Sequence, residues 1–246
     1  VSASASEWVP ATLEEATVLQ SEVLEDLRSA VNHLGWVVSL TEPWLGDDPL
    51  EVGSGLGDAA ARWAATGRPV TASEADPGRL AQLRQRFKGH GTVQVRELAV
   101  PIRESGTYSA VVALNVLEHI EDDVAALQDF ARLLRPGGRI VLVVPAFTPL
   151  MSRFDREIGH FRRYRVGPLT ATLRAAGLRP VRVRYFNLLG FFGWLVFVKA
   201  LRGAPREGLP LKIYDKLIVP VLRRVEARVR VPFGQSVLAV AEKPTT

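Results

Sequence analysis

The chain has 246 residues, 47% hydrophobic and 23% charged, with a formal net charge of +5; this describes a globular chain with room for a substantial core and excludes a disordered one. It has no cysteine, which excludes a disulfide framework and cysteine-based metal or thiol chemistry and makes the cytoplasm the default compartment. Residues 1–150 carry 12 Lys and Arg against 20 Asp and Glu, and residues 151–246 carry 19 against 6, so the basic charge of the second part either coats solvated faces or forms a surface for an acidic substrate, anionic lipid or nucleic acid.

Val1–Ser6 is small and polar, without the basic and apolar regions of a signal peptide. Thr12-Leu13-Glu14-Glu15 has the form of a capping box, with Thr12 as N-cap and Glu15 at the third helical position. Ala16, Val23, Leu27, Ala30 and Leu34 continue as a helical stripe that Gly35 weakens or ends. A second helical stretch, Trp36–Leu40, leads to the turn Gly46-Asp47-Asp48-Pro49. This arm, residues 1–45, reads as a helical cover over the cleft that follows, and a purely structural helix is the plainer account.

A strand at Pro49–Val52 runs into Leu50-Glu51-Val52-Gly53-Ser54-Gly55-Leu56-Gly57-Asp58, with a helix after it. Glycines at alternate positions tolerate positive φ and let a ligand approach bare backbone, and the helix start aims free N–H groups at that ligand; tight packing alone would also call for such a turn. The second strand, Pro69–Ser73, ends in Glu74-Ala75-Asp76-Pro77. Glu74, 21 residues after Gly53, suits the two ribose hydroxyls of a nucleoside, and Asp76, just before Pro77, suits the N-cap of the next helix.

The third strand, Val93–Glu97, is followed by Leu98-Ala99, where an adenine could be sandwiched. The fourth, Ser109–Leu114, is nearly continuously apolar, as a buried parallel strand is. It ends in Asn115-Val116-Leu117-Glu118-His119-Ile120. Glu121-Asp122-Asp123 then opens a helix with an acidic first turn, and Arg135-Pro136-Gly137-Gly138 turns into a fifth strand, Arg139–Val144. The alternation predicts an α/β fold, a doubly wound and mostly parallel sheet with helices on both faces. Ligands in such sheets bind at the carboxyl ends of the strands, where Gly53–Gly57, Glu74, Leu98-Ala99 and Asn115–His119 all fall.

These stretches, together with Leu133-Leu134-Arg135-Pro136-Gly137-Gly138, resemble the class I S-adenosylmethionine-dependent methyltransferases over about residues 45–145. The resemblance implies a Rossmann-like sheet whose last strand is antiparallel, with S-adenosylmethionine as cofactor. It implies that Glu51, Gly53, Ser54, Gly55 and Gly57 face the methionine part, that Glu74 and Ala75 meet the ribose, that Leu98 and Ala99 flank the adenine, and that Asn115 and Val116 line the cleft. Two positions depart from the family pattern: Tyr108-Ser109 stands where an aspartate is common before strand four, and no aspartate follows strand three at Leu98.

Phe147 to Val166 reads as a loop at the same sheet edge, dense in polar chemistry. Its run Gly159-His160-Phe161-Arg162-Arg163-Tyr164 resembles a segment of a bacterial subset of that family. His160 is the preferred general base and His119 the second candidate. Asp155, Arg162, Arg163 and Tyr164 are candidate substrate contacts, the arginines as clamps for phosphate or carboxylate; a loop-folding salt-bridge network through Asp155 and Glu157 is the plainer alternative.

A helix at Pro168–Ala176 and a sixth strand at Arg179–Tyr185 precede an apolar run from Asn187 to Val198, with Trp194 in it and Lys199 and Arg202 after it. The run is shorter than the roughly 20 residues that span a bilayer; it suits an interface, an acceptor pocket or plain packing. Leu209–Val231 reads as a basic amphipathic helix bent at Pro220, and Ser236–Ala241 as the last strand. The chain is therefore expected to be one domain: the arm, a sheet core over 46–185 and 233–246, and a helical insertion over 186–232. No metal site is expected. The expected activity is methyl transfer to a small-molecule or lipid-like, anionic acceptor at oxygen, with peripheral contact to anionic membrane. A nicotinamide-dependent oxidoreductase, whose turn is usually Gly-x-Gly-x-x-Gly, and a non-catalytic cofactor-binding or membrane-surface adaptor are the rivals. A nucleic-acid role is disfavoured because no base-reading module is recognisable.

Overall fold

The computed structural model describes residues 13–200 and 208–245; Thr12 and Arg202, which entered the expectations above, lie outside them. Seven strands form one sheet: β1 (Pro49–Val52), β2 (Val70–Glu74), β3 (Val93–Glu97), β4 (Tyr108–Leu114), β5 (Leu134–Pro145), β6 (Arg179–Phe186) and β7 (Ser236–Glu242). Their order is 3-2-1-4-5-7-6. β1 to β5 run parallel, and β7 lies antiparallel between β5 and β6. The order reverses between β1 and β4, which puts the ligand crevice of such a sheet at the carboxyl ends of those two strands.

Helices cover both faces. Leu127 and Phe130 of α5 (Asp123–Leu133) and Leu169 and Leu173 of α7 (Val166–Ala175) pack on one. Trp36 of α2 (Val31–Thr41), Trp63 of α3 (Asp58–Ala64), Leu83 of α4 (Pro77–Arg86) and Leu222 of α10 (Val219–Glu226) pack on the other. α1 (Leu13–Leu27) lies across the carboxyl edge, its Leu24 beside Gly55 and its Ser21 beside Arg79. α6 (Arg153–Glu157), α8 (Leu188–Gly193) and α9 (Leu209–Ile213) complete the set, with π-helical stretches at Trp194–Ala200 and Tyr214–Ile218.

Four expectations are corrected. The arm is not one helix ended by Gly35: it breaks after Leu27, and α2 runs through Gly35. The physical reason is a distant cap, since the Asp215 carboxylate accepts from the backbone amides of Asn32 and His33 at the start of α2. β5 starts at Leu134 rather than Arg139, carrying Pro136-Gly137-Gly138 along the sheet edge. The segment after β5 is not all loop; α6 forms there under a capping box in which Ser152 and Asp155 cap each other's backbone. The basic segment is two α-helices joined by the π-helical stretch at Tyr214–Ile218, with Pro220 in the first turn of α10 directly after that stretch. Ser109, in place of the usual aspartate, ties β4 to the chain before β1: its hydroxyl donates to the Leu45 carbonyl at 2.6 Å and accepts from Asp48 N at 2.8 Å.

Candidate active site

The glycine turn after β1 holds Gly53, Gly55 and Gly57 at φ +67°, +55° and +77°. A Cβ on Gly53 would stand 2.7 Å from Val116, and one on Gly57 2.6 Å from Leu83 and Phe87. Gly57 is therefore needed for packing on α4, and Gly53 for the close approach of the turn after β4. Glu74, at the end of β2 and 4% exposed, ties the turn down. Its Oε2 accepts from Gly55 N at 2.9 Å, and its Oε1 from Ala75 N and Asp76 N at 3.0 Å and from Arg79 at 3.3 Å. Asp76 takes the capping role, accepting from Arg79 N at 2.8 Å. Leu98 is buried and hydrogen-bonded through its N–H to the Glu74 carbonyl; Ala99 and Asn115 are exposed beside it on the same edge. Beneath the turn, burial pushes Glu51 up to about 8, and one of its carboxyl oxygens has no partner.

Asn115, Phe147 and Asn187 follow β4, β5 and β6, and all three sit at positive φ (52°, 62° and 65°) without being glycine. Strained backbone collects at one sheet edge, as it does around sites that position side chains. The turn after β4 carries Glu118 and His119. The loop after β5 brings Asp155, His160 and Arg163 against them.

Asp155 is the centre of this group and is fully buried. Its Oδ2 accepts from Ser152 N and Oγ at 2.7 and 2.6 Å; its Oδ1 accepts from His160 Nδ1 at 2.9 Å and from Arg163 Nε and Nη2 at 2.9 and 2.7 Å. Burial works against its ionisation, yet the hydrogen bond from His160 and the charge of Arg163 bring it down to about 2. An ionised carboxylate only accepts, so Nδ1 of His160 carries the proton in that bond. Nε2 points toward Glu118, 3.9 Å away, and the His160 ring meets the His119 ring edge-on with centroids 4.5 Å apart.

His119 is held far from protonation. Burial, then the neighbouring His160, lower it to about 3, which makes it a weak proton acceptor. Glu118 has no hydrogen bond to either carboxyl oxygen, and burial raises it to about 7 against the opposing pull of His160 and Arg163. A carboxyl raised in the fold keeps a proton that the unfolded chain has already lost, so stability falls as pH rises from about 4 to about 7. Glu118→Gln is expected to gain on the parent by about 2–3 kcal/mol between pH 5 and pH 8, read from paired denaturant titrations. Parallel pH curves for the two chains would refute the cost of burying that carboxyl.

The remaining expected contacts divide. Arg163 is buried, paired with Asp155 and set over the Trp194 ring at 4.4 Å, so both residues of that pair face inward rather than toward a substrate. The Asp155 carboxylate has no lone pair to spare, which corrects its expected role as a substrate contact. Arg162 and Tyr164 both reach Asp123 at the start of α5, at 3.0 and 3.1 Å, and so lock the loop to that helix. Gln20 of α1 closes the top, donating to the Ile158 carbonyl at 2.7 Å with His119 Nδ1 at 3.4 Å. Three participants escaped sequence reasoning as site members. Glu118 stood within a quoted motif, and an acid in an apolar run was its available signal; Gln20 and Arg79 had none, because they arrive from distant helices. Glu118, His119 and His160 also bring donor atoms within 4.8 Å of one another, a set able to hold a divalent cation.

Comparison with known proteins places this arrangement. A family model described as a methyltransferase domain matches residues 50–140. The chain is 34% identical over 165 residues to a ubiquinone biosynthesis O-methyltransferase of Xanthomonas axonopodis pv. citri, covering 59% of this chain and 68% of that protein. It is 32% identical over 111 residues to the protein of the same name from Pectobacterium atrosepticum, covering 44% and 46%; the chain thus spans about half the length of the first curated relatives it matches. Among solved structures, geranyl diphosphate C-methyltransferase from Streptomyces coelicolor A3(2) superposes with a TM-score of 0.58 at 14% identity, over 84% of this chain and 76% of that one. The [4+2]-cyclase SpnF superposes with a TM-score of 0.58 at 18% identity, over 97% and 99%. At such identities the likeness is one of fold, and the names of these two proteins describe different chemistry on it.

Proposed function

This chain belongs to the class I S-adenosylmethionine-dependent methyltransferases, and from that premise we propose that it transfers the methyl group to a hydroxyl oxygen of a small, lipid-like acceptor. Bound S-adenosylmethionine supplies an electrophilic methyl on a sulfonium, already a good leaving group. The protein must then position the acceptor, exclude water and take its proton. The observation that carries the reading is the Asp155–His160 pair at 2.9 Å, on the sheet edge that also holds the glycine turn and Glu74.

In this reading Gly53, Ser54, Gly55 and Gly57, with Glu51 below them, form the seat for the methionine part, and Ala75 extends the ribose side. Glu74 accepts from the ribose hydroxyls, which replace Arg79, the longest of its present contacts. Leu98 and Ala99 flank the adenine, and Asn115 and Val116 border the reacting end. His160 accepts the acceptor's proton at Nε2 and Asp155 stabilises the imidazolium formed. Arg162, Tyr164 and Trp194 shape the acceptor side through the loop they hold. Oxygen is favoured because the curated relatives are named O-methyltransferases.

Calorimetric titration with S-adenosylhomocysteine, with NADH alongside, tests the cofactor. Glu74→Ala is expected to weaken sulfur-nucleoside binding about 10- to 100-fold, the worth of hydrogen bonds to a charged acceptor. NADH binding in place of the sulfur nucleosides would overturn the reading. Methyl transfer from labelled cofactor to phenolic acceptors, with and without chelator, tests the base. Activity lost to the chelator and restored by a divalent metal would reassign Glu118, His119 and His160 to metal binding.

A further inference from the structure

Ten of the sixteen large apolar side chains exposed among the described residues lie between Leu189 and Val229. Six of them, Leu209, Ile213, Leu217, Val221, Val225 and Val229, recur at every fourth position and are 45–70% exposed. A stripe with that spacing drifts round a 3.6-residue helix. The wider π-helical turn at Tyr214–Ile218 turns part of that drift back. Leu189, Phe192, Leu195 and Val196 of the preceding helical stretch are exposed as well.

Charge in this segment is sorted by direction. Its two acids among the described residues are buried and spent on other helices: Asp215 caps α2, and Glu226 accepts from Asn187 N and Leu188 N at 2.9 Å at the start of α8. Its cations Lys212, Lys216, Arg223, Arg224, Arg228 and Arg230 are all exposed. Arg224 and Arg228 bond only carbonyls of their own helix, those of Pro220 and Arg224. Arg223, Arg224 and Arg228 also line a groove of about 770 Å³ against Asn32, Ser39 and Leu40 of α2. Among the described residues the outward face is therefore apolar and cationic, with no exposed acid.

We propose that α8 to α10 form a docking face for an anionic phospholipid bilayer, with the apolar stripe in the interface and the arginines at the phosphates. Interfacial helices combine these two features, an apolar face and flanking cations whose stems lie along it. A second copy of the chain fits worse, because a two-fold contact would bring the same exposed arginines of both copies together. The segment is rooted at the sheet's carboxyl edge at both ends, by Asn187 and Gln235, whose side chains bond at 2.9 Å. Trp194 lies under Arg163 of the candidate catalytic network. Resting on the methyltransferase reading, the face deepens it: the acceptor is a lipophilic molecule resident in the bilayer, with its hydroxyl at headgroup level.

Flotation of the chain with vesicles tests the face. Binding to vesicles containing about 30% phosphatidylglycerol is expected to be at least about tenfold tighter than to pure phosphatidylcholine, and to weaken as salt rises. Leu217→Glu/Val221→Glu, both at exposed positions, is expected to abolish vesicle binding and leave S-adenosylhomocysteine affinity unchanged. A chain that binds S-adenosylhomocysteine but ignores anionic vesicles at low salt, or binds both vesicle types equally, overturns the docking face alone. A stable dimer in sedimentation that the same double variant dissolves overturns it in favour of a second copy. Vesicle binding without sulfur-nucleoside binding supports the face and removes the methyltransferase reading on which the acceptor class rests.

Discussion

An Asp155→Ala chain is expected to lose about 3–5 kcal/mol of stability, the cost of removing one partner from a buried ion pair. The parent spends that carboxylate on five hydrogen-bond contacts, two from Ser152, one from His160 and two from Arg163, and the Asp155 N–H donates to the Ser152 hydroxyl at 3.2 Å. The variant leaves the Arg163 guanidinium, 4% exposed, with only the Ala146 carbonyl at 3.2 Å and the face of Trp194. For a chain of this size the loss corresponds to a melting temperature lower by roughly 10 °C at pH 7. The pH dependence has a definite sign. Asp155 is held at about 2 in the fold against roughly 3.9 in the unfolded chain. Its contribution is complete above the unfolded value and is lost as pH falls through about 2. The gap between parent and variant should therefore narrow below pH 4. Equal melting of the two chains at pH 7 would mean that Arg163 reaches water and that the pair is not what closes the loop.

His160→Gln is expected to lower kcat by about 10²- to 10⁴-fold, the range for removing a general base, while S-adenosylhomocysteine affinity stays that of the parent. The side chain is only 7% exposed, and α1 overlies the site through Gln20. A base at this position would work in a nearly dry site, with the Asp155 carboxylate to steady the imidazolium. A purely structural role for His160 would lower activity by the same factor at every pH. A base role would not: with a phenolic acceptor whose own pKa is near 10, the deficit should shrink as pH rises toward that value and the acceptor ionises unaided. A variant with full activity removes His160 from the chemistry, and one whose deficit is flat with pH makes it a positioning residue.

The cofactor side of this arrangement is legible in short stretches of chain. Leu50–Asp58 contains an apolar strand, three glycines and a helix start within nine residues. Glu74 follows directly from the end of the next apolar run, and Asp76 caps the next helix just as its place before Pro77 suggests. Strand alternation likewise predicts the mostly parallel sheet, because near-continuous apolar runs separated by helical patterns pack in few ways, whereas the antiparallel last strand follows only from the family resemblance. The loop after β5 is different. Asp155, His160, Arg162, Arg163 and Tyr164 are conspicuous there, yet their types say nothing about direction. Asp155 and Arg163 turn inward, Arg162 and Tyr164 bind α5, and His160 sets its Nε2 3.9 Å from Glu118.

Periodicity, glycine spacing and caps act between residues a few positions apart, so the order of elements and the glycine seat could be read from the chain directly. Contacts between remote segments could not. Asp215 caps α2 from 182 residues away, Gln20 meets His119 across 99, and Arg79 reaches Ser21 across 58. Those meetings split the N-terminal arm into two helices, bring Glu118 and His119 under His160, and bury both acids of the basic segment while its cations and apolar stripe stay outside. A carboxylate on a helix is either a surface charge or a buried cap according to which amides fold against it, and that depends on the packed sheet and helices, not on its neighbours in the chain.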